Sequence, residues 1–383
     1  MKFKIFWDLK FPGFKKGILI FLLLGALLFM GCMGEEFQPQ GWSGPSVAEG
    51  ILYVGSTKGK VVALDLSKRT KIWEFVPEET KRQNTSFGCA PSSRAAIIVY
   101  GTPAAAEGMV YFGSYSGKVY ALDARTGAKK WEYPTGGAVI GSPVIAGDTL
   151  IVTSSDGKLY ALDARSGGAK WAEPFATQGK IWADPVVANG KVYFGNFAHQ
   201  FFAVDLKSGK LIWEREFKGA IASTPLVAEG TVYIGSFEGK LYALDAETGQ
   251  PKWKEPFEAK NWFWTRPLFY RGTIYVGSLD HRVYALDAKT GKPKWPKPFE
   301  TGGEIRSAPV IAGGVLIIAS SDGKVYGLDP KTGMERWAPR DLLSPIFAYP
   351  WVNEDIVYII TQNNSLHAIK GETGEEIWSL TIE

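Results

Sequence analysis

Beyond residue 40 the chain is a succession of short apolar runs broken by polar turns, and the runs keep the two-residue period of strands. Lys240-Leu241-Tyr242-Ala243-Leu244 alternates from face to face, and Val232-Tyr233-Ile234-Gly235-Ser236 before it is rich in β-branched and aromatic residues. Glu238-Gly239 separates the two as a tight turn whose glycine supplies a positive φ. Upstream, Pro225-Leu226-Val227 reads as a first strand, followed by a turn at Glu229-Gly230. Downstream, Asp245-Ala246-Glu247-Thr248-Gly249 makes a second turn whose carboxylate accepts local backbone N–H groups, and Lys252-Trp253 begins a fourth strand. The pattern predicts four short antiparallel strands per unit and no helix of useful length after residue 40.

This unit recurs eight times. Trp73, Trp131, Trp171, Trp213, Trp253, Trp295, Trp337 and Trp378 are spaced by 58, 40, 42, 40, 42, 42 and 41 residues. Each lies eight residues after Asp65, Asp123, Asp163, Asp205, Asp245, Asp287, Asp329 or, in the last copy, Lys370. Pro45, Pro103, Pro143, Pro185, Pro225, Pro267, Pro309 and Pro350 keep the same spacings. Four strands at this pitch make a propeller blade, which cannot bury both faces alone but is buried by its neighbours when blades stack radially. An indole wedged between blades removes roughly 150–250 Å² from water. The expected fold is therefore all-β: an eight-bladed β-propeller of four-stranded antiparallel blades over residues 41–383, closed into a ring by the repeated tryptophans. The pattern leaves open whether the Phe37–Trp42 segment adds a strand to the last blade.

The N-terminus differs from all of this. Gly17 to Met30 is an uninterrupted apolar run behind a lysine-rich stretch, the layout of a signal or anchor segment. Cys32 follows directly, as in a bacterial lipoprotein signal whose cysteine is lipidated, although Phe29 and Met30 depart from that pattern. The alternative is an uncleaved anchor, since Gly17 to Gly34 is just long enough to span. Either way, residues 1–31 are a lipoprotein-type signal or anchor, 32–40 a tether, and the blades lie outside the cytoplasm, on the periplasmic side or the outer cell surface. Cys89, the second of two cysteines, is an unpaired thiol or a partner of Cys32.

Charge narrows the classes of partner. The chain carries 43 Lys+Arg and 39 Asp+Glu, a formal +4. Lys2, Lys4, Lys10, Lys15 and Lys16 against Asp8 account for that excess, so the blades are formally neutral. A nucleic-acid binder shows a net basic surface, and none is expected here. Two cysteines and three histidines supply neither a disulfide framework nor a histidine-rich metal centre. No Gly-x-Ser-x-Gly elbow, phosphate loop or His-Glu-x-x-His motif occurs.

The signature Ala-Leu-Asp-x-x-Thr-Gly-x-x-x-Trp, as in Ala121-Leu122-Asp123 to Trp131, resembles the tryptophan-docking blade of the pyrroloquinoline-quinone (PQQ)-like propellers. The resemblance covers essentially all of 41–383. Eight plain blades behind a lipoprotein-type signal are similar to the BamB-type outer-membrane assembly lipoproteins of that group. It implies a non-catalytic, monomeric, membrane-tethered propeller that needs no cofactor and binds protein partners in the cell envelope. The longer PQQ-dependent dehydrogenases carry the same blade motif, but their adjacent cysteine pair is missing here and no Glu/Asn/Asp calcium set can be matched.

Positions common to all copies are required by the blade, so function is expected where copies diverge. Two sets of connections share one face: the linkers that end in the marker prolines, and the turns between second and third strands. The linkers contribute Trp182, Asp184, Trp262, Trp264, Arg266, Arg306 and Tyr349, and the turns contribute His199, His281 and Arg282. Aromatic residues and arginine concentrated near blades 4–7 suit a contact surface. Two alternatives stand beside this: Trp182, Trp262 and Trp264 plug the central channel, or they stack against sugars of a glycan or other ligand. An insertion at 78–96, between blades 1 and 2, belongs to the same face. The two turn histidines are a blade apart, too far for joint metal ligation, and His367 replaces the usual third-strand tyrosine as a packed residue.

Overall fold

A computed structural model describes residues 43–56, 58–77 and 98–382. The signal, the tether with Cys32, the Phe37–Trp42 segment, Cys89 and the insertion all lie outside the described residues. Among these residues there is no helix, only strands gathered into eight separate four-stranded antiparallel sheets. The blades span 46–75, 104–134, 144–176, 186–216, 226–258, 268–300, 310–341 and 351–381. Blade 5 shows the pattern: Leu226–Ala228, Thr231–Gly235, Lys240–Asp245 and Phe257–Glu258 pair in sequence order. The second and third strands are buried, the first is half-buried along the axis, and the fourth is exposed at the rim.

The core is divided among the blade interfaces. Eight hydrophobic clusters each join two consecutive blades, and one of them joins the last blade to the first through Leu52, Leu64, Leu366 and Ala368. The sheets therefore form a closed ring, and blade 8 is complete with four strands from 351–381.

At seven interfaces the indole N–H of one blade donates to a carbonyl just after the aspartate position of the next, at 3.0–3.1 Å: Trp73 to Ala124, Trp131 to Ala164, Trp171 to Leu206, Trp213 to Ala246, Trp253 to Ala288, Trp295 to Pro330 and Trp337 to Gly371. At four of these a second-strand tyrosine hydroxyl reaches the same carbonyl, as when Tyr233 donates to Ala288 at 2.9 Å. Two donors thus use the two lone pairs of one buried oxygen.

The receiving turn is shaped by its own aspartate. Asp287 Oδ1 accepts the Lys289 and Thr290 backbone N–H groups and the Thr290 hydroxyl. Gly291, at φ 72°, then lies under the Trp253 ring, where an added Cβ would stand 2.7 Å from Cδ2. Glycine is needed there for its backbone and for its missing side chain. The seam between blades 8 and 1 departs from this: Arg69 holds the position at φ 58°, and its guanidinium lies 5.7 Å from the Trp378 ring centroid. In blade 8, where Lys370 replaces the aspartate, Asp355 takes over, with its carbonyl accepting from Gly371 and its carboxylate from Glu372.

One expectation needs correction. In blades 3, 5 and 6 the fourth strand does not begin at the tryptophan. A single bridge (Leu162 with Ala169, Leu244 with Pro251, Leu286 with Pro293) precedes it, and a two-residue strand follows. Pro174, Pro256, Pro296 and Pro298 remove the N–H groups that a continuous strand would donate. In the other five blades the tryptophan sits inside the strand beside a bulge-type register shift.

Two outcomes follow from these contacts. Trp253→Phe and Tyr233→Phe should each cost about 1 kcal/mol. The double variant should cost more than their sum by ~0.5 kcal/mol or more, because only then is the buried Ala288 carbonyl left bare; urea unfolding of the four proteins checks this. The turn carboxylates set an acid limit. Hydrogen bonds from Thr126 hold Asp123 down to about 2, and those from Ser67 and Lys68 do the same for Asp65. A depressed carboxyl contributes stability that is complete above its unfolded pKa of about 3.9 and is lost as pH falls toward 2. Asp123→Asn should therefore melt lower than the parent at pH 7, and the difference should close by about pH 2.

Candidate functional site

The linkers and the second-to-third-strand turns do share one face. In seven blades a turn backbone N–H donates to a linker carbonyl, as Tyr115 to Ile98, Phe197 to Lys180, Phe237 to Ala220 and Leu279 to Trp262. The residue four before the marker proline is buried in the seven linkers where it is described: Val99, Val139, Ile181, Ile221, Phe263, Ile305 and Ile346 are at most 1% exposed. That anchor turns the next residue toward the mouth of the ring and the residue before the proline toward its axis.

At the mouth, aromatic side chains of blades 4–6 form one continuous stack. Trp182 meets Phe197 edge-on with centroids 4.7 Å apart, and Phe197 meets Phe237 at 5.7 Å. Phe237 lies flat on Trp262, at 4.4 Å and 5° between planes, and against Trp264 at 5.3 Å. Trp262 is 42% exposed, and the indole N–H of Trp182 is buried without a partner. Phe197 and Phe237 are the members not among the candidates read from the sequence. Their signal was available in the second turn position, which is aromatic in blades 2, 4 and 5 (Tyr115, Phe197, Phe237) and small or aliphatic in blades 3, 6 and 7 (Ser155, Leu279, Ser321).

Other candidates are scattered around this stack. His199 and His281 are exposed in left-handed turns, at φ 65° and 67°, where most copies have glycine. Arg282 is paired with Glu300 at 2.7 Å. Arg306 pairs with Glu304 and sits 5.6 Å from the Phe347 ring centroid. His367 is packed as expected, with Nδ1 2.7 Å from Glu376, whose carboxyl that contact holds low.

Asp184, Arg266 and Tyr349 are not part of the aromatic stack. They line a cavity of about 380 Å³ on the axis, together with Thr102, Ser142 and Thr224. Each of these residues precedes a marker proline, whose ring forces it to be extended. The next blade supplies an acceptor for the backbone N–H groups of Gly44, Thr102 and Ser142. Gly44 donates to Thr102 Oγ1 at 3.2 Å, Thr102 to Ser142 Oγ at 2.9 Å, and Ser142 to Asp184 Oδ1 at 2.6 Å. The Thr224 hydroxyl donates to Asp184 Oδ2 at 3.1 Å and lies 3.4 Å from the Tyr349 hydroxyl. Burial pushes the Asp184 carboxyl up, against the pull of these hydrogen bonds and of the Arg266 charge. Burial, and then Asp184, push the Tyr349 hydroxyl up as well. Trp182, Trp262 and Trp264 are not among the residues that line this cavity, whereas Trp351 is.

The family profile described as outer membrane protein assembly factor BamB matches residues 33–255 and 253–383. The chain belongs to that family. A stretch of 87 residues is 36% identical to outer membrane protein assembly factor BamB of Xanthomonas campestris, covering 23% of this chain and 20% of that protein. Another, of 91 residues, is 33% identical to the 1-butanol dehydrogenase (cytochrome c) of Thauera butanivorans, covering 24% of this chain and 12% of that enzyme. The chain therefore spans a fifth or less of the length of these curated relatives. Among solved structures, BamB from Moraxella catarrhalis superposes with a TM-score of 0.68 at 22% identity, over 84% of this chain and 91% of that one. A europium-containing methanol dehydrogenase superposes at 0.64 and 18% identity, over 86% and 82%. Both show the eight-bladed fold.

The surface character of the stack can be tested directly. Trp262→Ala should lower stability by less than ~1 kcal/mol, whereas Phe263→Ala, one residue on and fully buried, should cost about 3–5 kcal/mol. Comparing the two by urea unfolding separates a free aromatic face from a core.

Proposed function

We propose that this chain is a non-catalytic, membrane-tethered propeller scaffold outside the cytoplasm, which binds protein partners in envelope assembly through the face that carries the aromatic stack. The observation that carries this reading is the stack itself. Five aromatic rings from three consecutive blades are pressed together on one face, with Trp262 left in solvent. Large rigid rings lose little conformational freedom on binding and carry most of the energy of protein interfaces. Membership in the BamB family supports an assembly role. The N-terminal apolar run with Cys32 supports tethering, and the formal neutrality of the blades suits a partner recognised by shape and apolar contact.

A second reading, a PQQ-dependent dehydrogenase, is favoured by the butanol and methanol dehydrogenase relatives. The axial cavity does not fit that cofactor. PQQ is a tricarboxylate held together with a metal ion, and this cavity offers one guanidinium, Arg266, and one carboxylate, Asp184. Among the described residues no group of three or more His, Cys, Asp or Glu could hold a metal ion. A sugar-stacking role for the tryptophans competes less well, because Phe237 already covers one face of Trp262.

The test is site-specific photo-crosslinking from position 198, in the exposed turn beside Phe197, in the full chain in its own membranes. Crosslinks to outer-membrane assembly components are expected, and Trp262→Glu should reduce their recovery by roughly tenfold or more, as for a hot-spot residue. Lys289→Glu, in the exposed turn between third and fourth strands on the opposite face, should leave recovery unchanged. Equal loss from both substitutions, or from neither, would rule out this face as the docking surface.

A further inference from the structure

The axial cavity has chemistry that scaffolding does not use. In the belt of residues before the prolines, hydroxyl and carboxylate groups take up backbone N–H groups from blade 1 round to blade 4, and Thr224 of blade 5 closes on Asp184 from the other side. At blade 6 the belt is broken by Arg266. Its side chain lines the cavity, is exposed to the solvent within it, and forms no ion pair or side-chain hydrogen bond among the described residues. Ser46, on the first strand of blade 1, lines the same cavity with a buried hydroxyl that also has no partner. The rest of the wall is largely apolar, including Val186 and Trp351. A guanidinium without an ion-pair partner, exposed in a largely apolar pocket, makes a small-molecule site.

We propose that this cavity binds a small organic carboxylate, whose head group is taken by Arg266 and whose apolar body lies against Val186 and Trp351. A planar guanidinium matches a planar carboxylate through two parallel hydrogen bonds. The cavity sets the anion's charge as well as its shape. Asp184 stands in the same wall, so a dianion such as hydrogen phosphate meets about twice the repulsion that a monoanion meets. The groups facing Asp184 are the Ser142 N–H, the Thr224 hydroxyl, the Tyr349 hydroxyl and Arg266, contributed by four different linkers. Burial already favours the neutral form of its carboxyl. As pH falls and Asp184 takes up a proton, the cavity gains net positive charge, and affinity for an anion rises. None of this depends on the aromatic face, which shares no residue with the cavity.

The experiment is equilibrium dialysis of the detergent-solubilised full chain against radiolabelled phenylacetate, with inorganic phosphate as the comparison anion. Expected is saturable one-to-one binding with a dissociation constant of about 1 mM or tighter, strengthening as pH falls. Arg266→Gln should weaken it by roughly tenfold or more. Asp184→Asn should tighten it and flatten its pH dependence. Melting temperatures of both variants within a few degrees of the parent establish that the ring is intact. Absence of saturable binding would overturn the proposal, as would undiminished binding by Arg266→Gln or phosphate binding tighter than phenylacetate. Trp262→Glu should bind phenylacetate as the parent does, so this result and the crosslinking result succeed or fail separately.

Discussion

The contact on which the molecule depends is an indole edge meeting the backbone of the next sheet. A four-stranded blade of this size has two apolar faces and no means of covering either. Packing alone would let neighbouring sheets slide, because stacked apolar faces are attractive in many registers. The indole removes that freedom by placing its N–H on one particular carbonyl in the next blade, with the tyrosine hydroxyl joining it there at four interfaces. The glycine beneath the ring lets the plate of the indole lie flat on the backbone. Side chain, carbonyl and glycine thus define one relative position of two sheets, and repeating it at seven interfaces leaves only the seam to close the circle. The seam is where the device is altered: a guanidinium over Trp378 stands in place of the bare glycine backbone.

Confining the structural demands to the rim turns and the interfaces explains where variation is allowed. The linkers owe the fold two things, a buried anchor four residues before the proline and an extended residue just before it. The positions between and beside these are unconstrained by the blade. Blades 2 and 3 put Tyr100 and Ile140 after the anchor, while blades 3-to-4 and 5-to-6 linkers put Trp182 and Trp264 there, and the aromatic face is the sum of such choices. The axial belt is built from the side chains of the residues just before the prolines, and its chemistry is different because neighbouring linkers, rather than open solvent, surround it.

Much of this was legible in the chain itself. The proline, aspartate and tryptophan rulers carry the number of blades, their strand order and their mode of docking, because each marks a backbone requirement that repeats without exception or nearly so. The shared face of linkers and turns follows from strand direction alone. Three things were not read. The fourth strands of blades 3, 5 and 6 are split by prolines that stand in plain view at 174, 256, 296 and 298, but a strand pattern scores side-chain alternation and is blind to missing N–H groups. Phe237 escaped because its turn, Ser236-Phe237-Glu238-Gly239, has the ordinary glycine and looks regular beside the histidine-bearing turns. Arg266 was grouped with Trp264 by nearness in sequence, whereas the structure places Trp264 in the aromatic stack at the mouth and Arg266 in the wall of the axial cavity.

That last divergence separates two recognition chemistries two residues apart. Trp264 and Arg266 hang from the same linker, yet one belongs to a hydrophobic stack on the outer face and the other to a charged site in the axial cavity. The buried Thr265 between them, fully excluded from solvent, keeps the linker from rotating to exchange their positions. An arginine placed at the mouth would be one more rim charge, worth little and screened by salt. Inside a narrow cavity walled by Val186 and Trp351 the same charge acts through a medium of lower polarizability, where its attraction for an anion is several times stronger. The blade repeat makes such a placement inexpensive, since a single substitution before a marker proline delivers a side chain to the axis without disturbing the docked tryptophans or the hydrophobic clusters between blades.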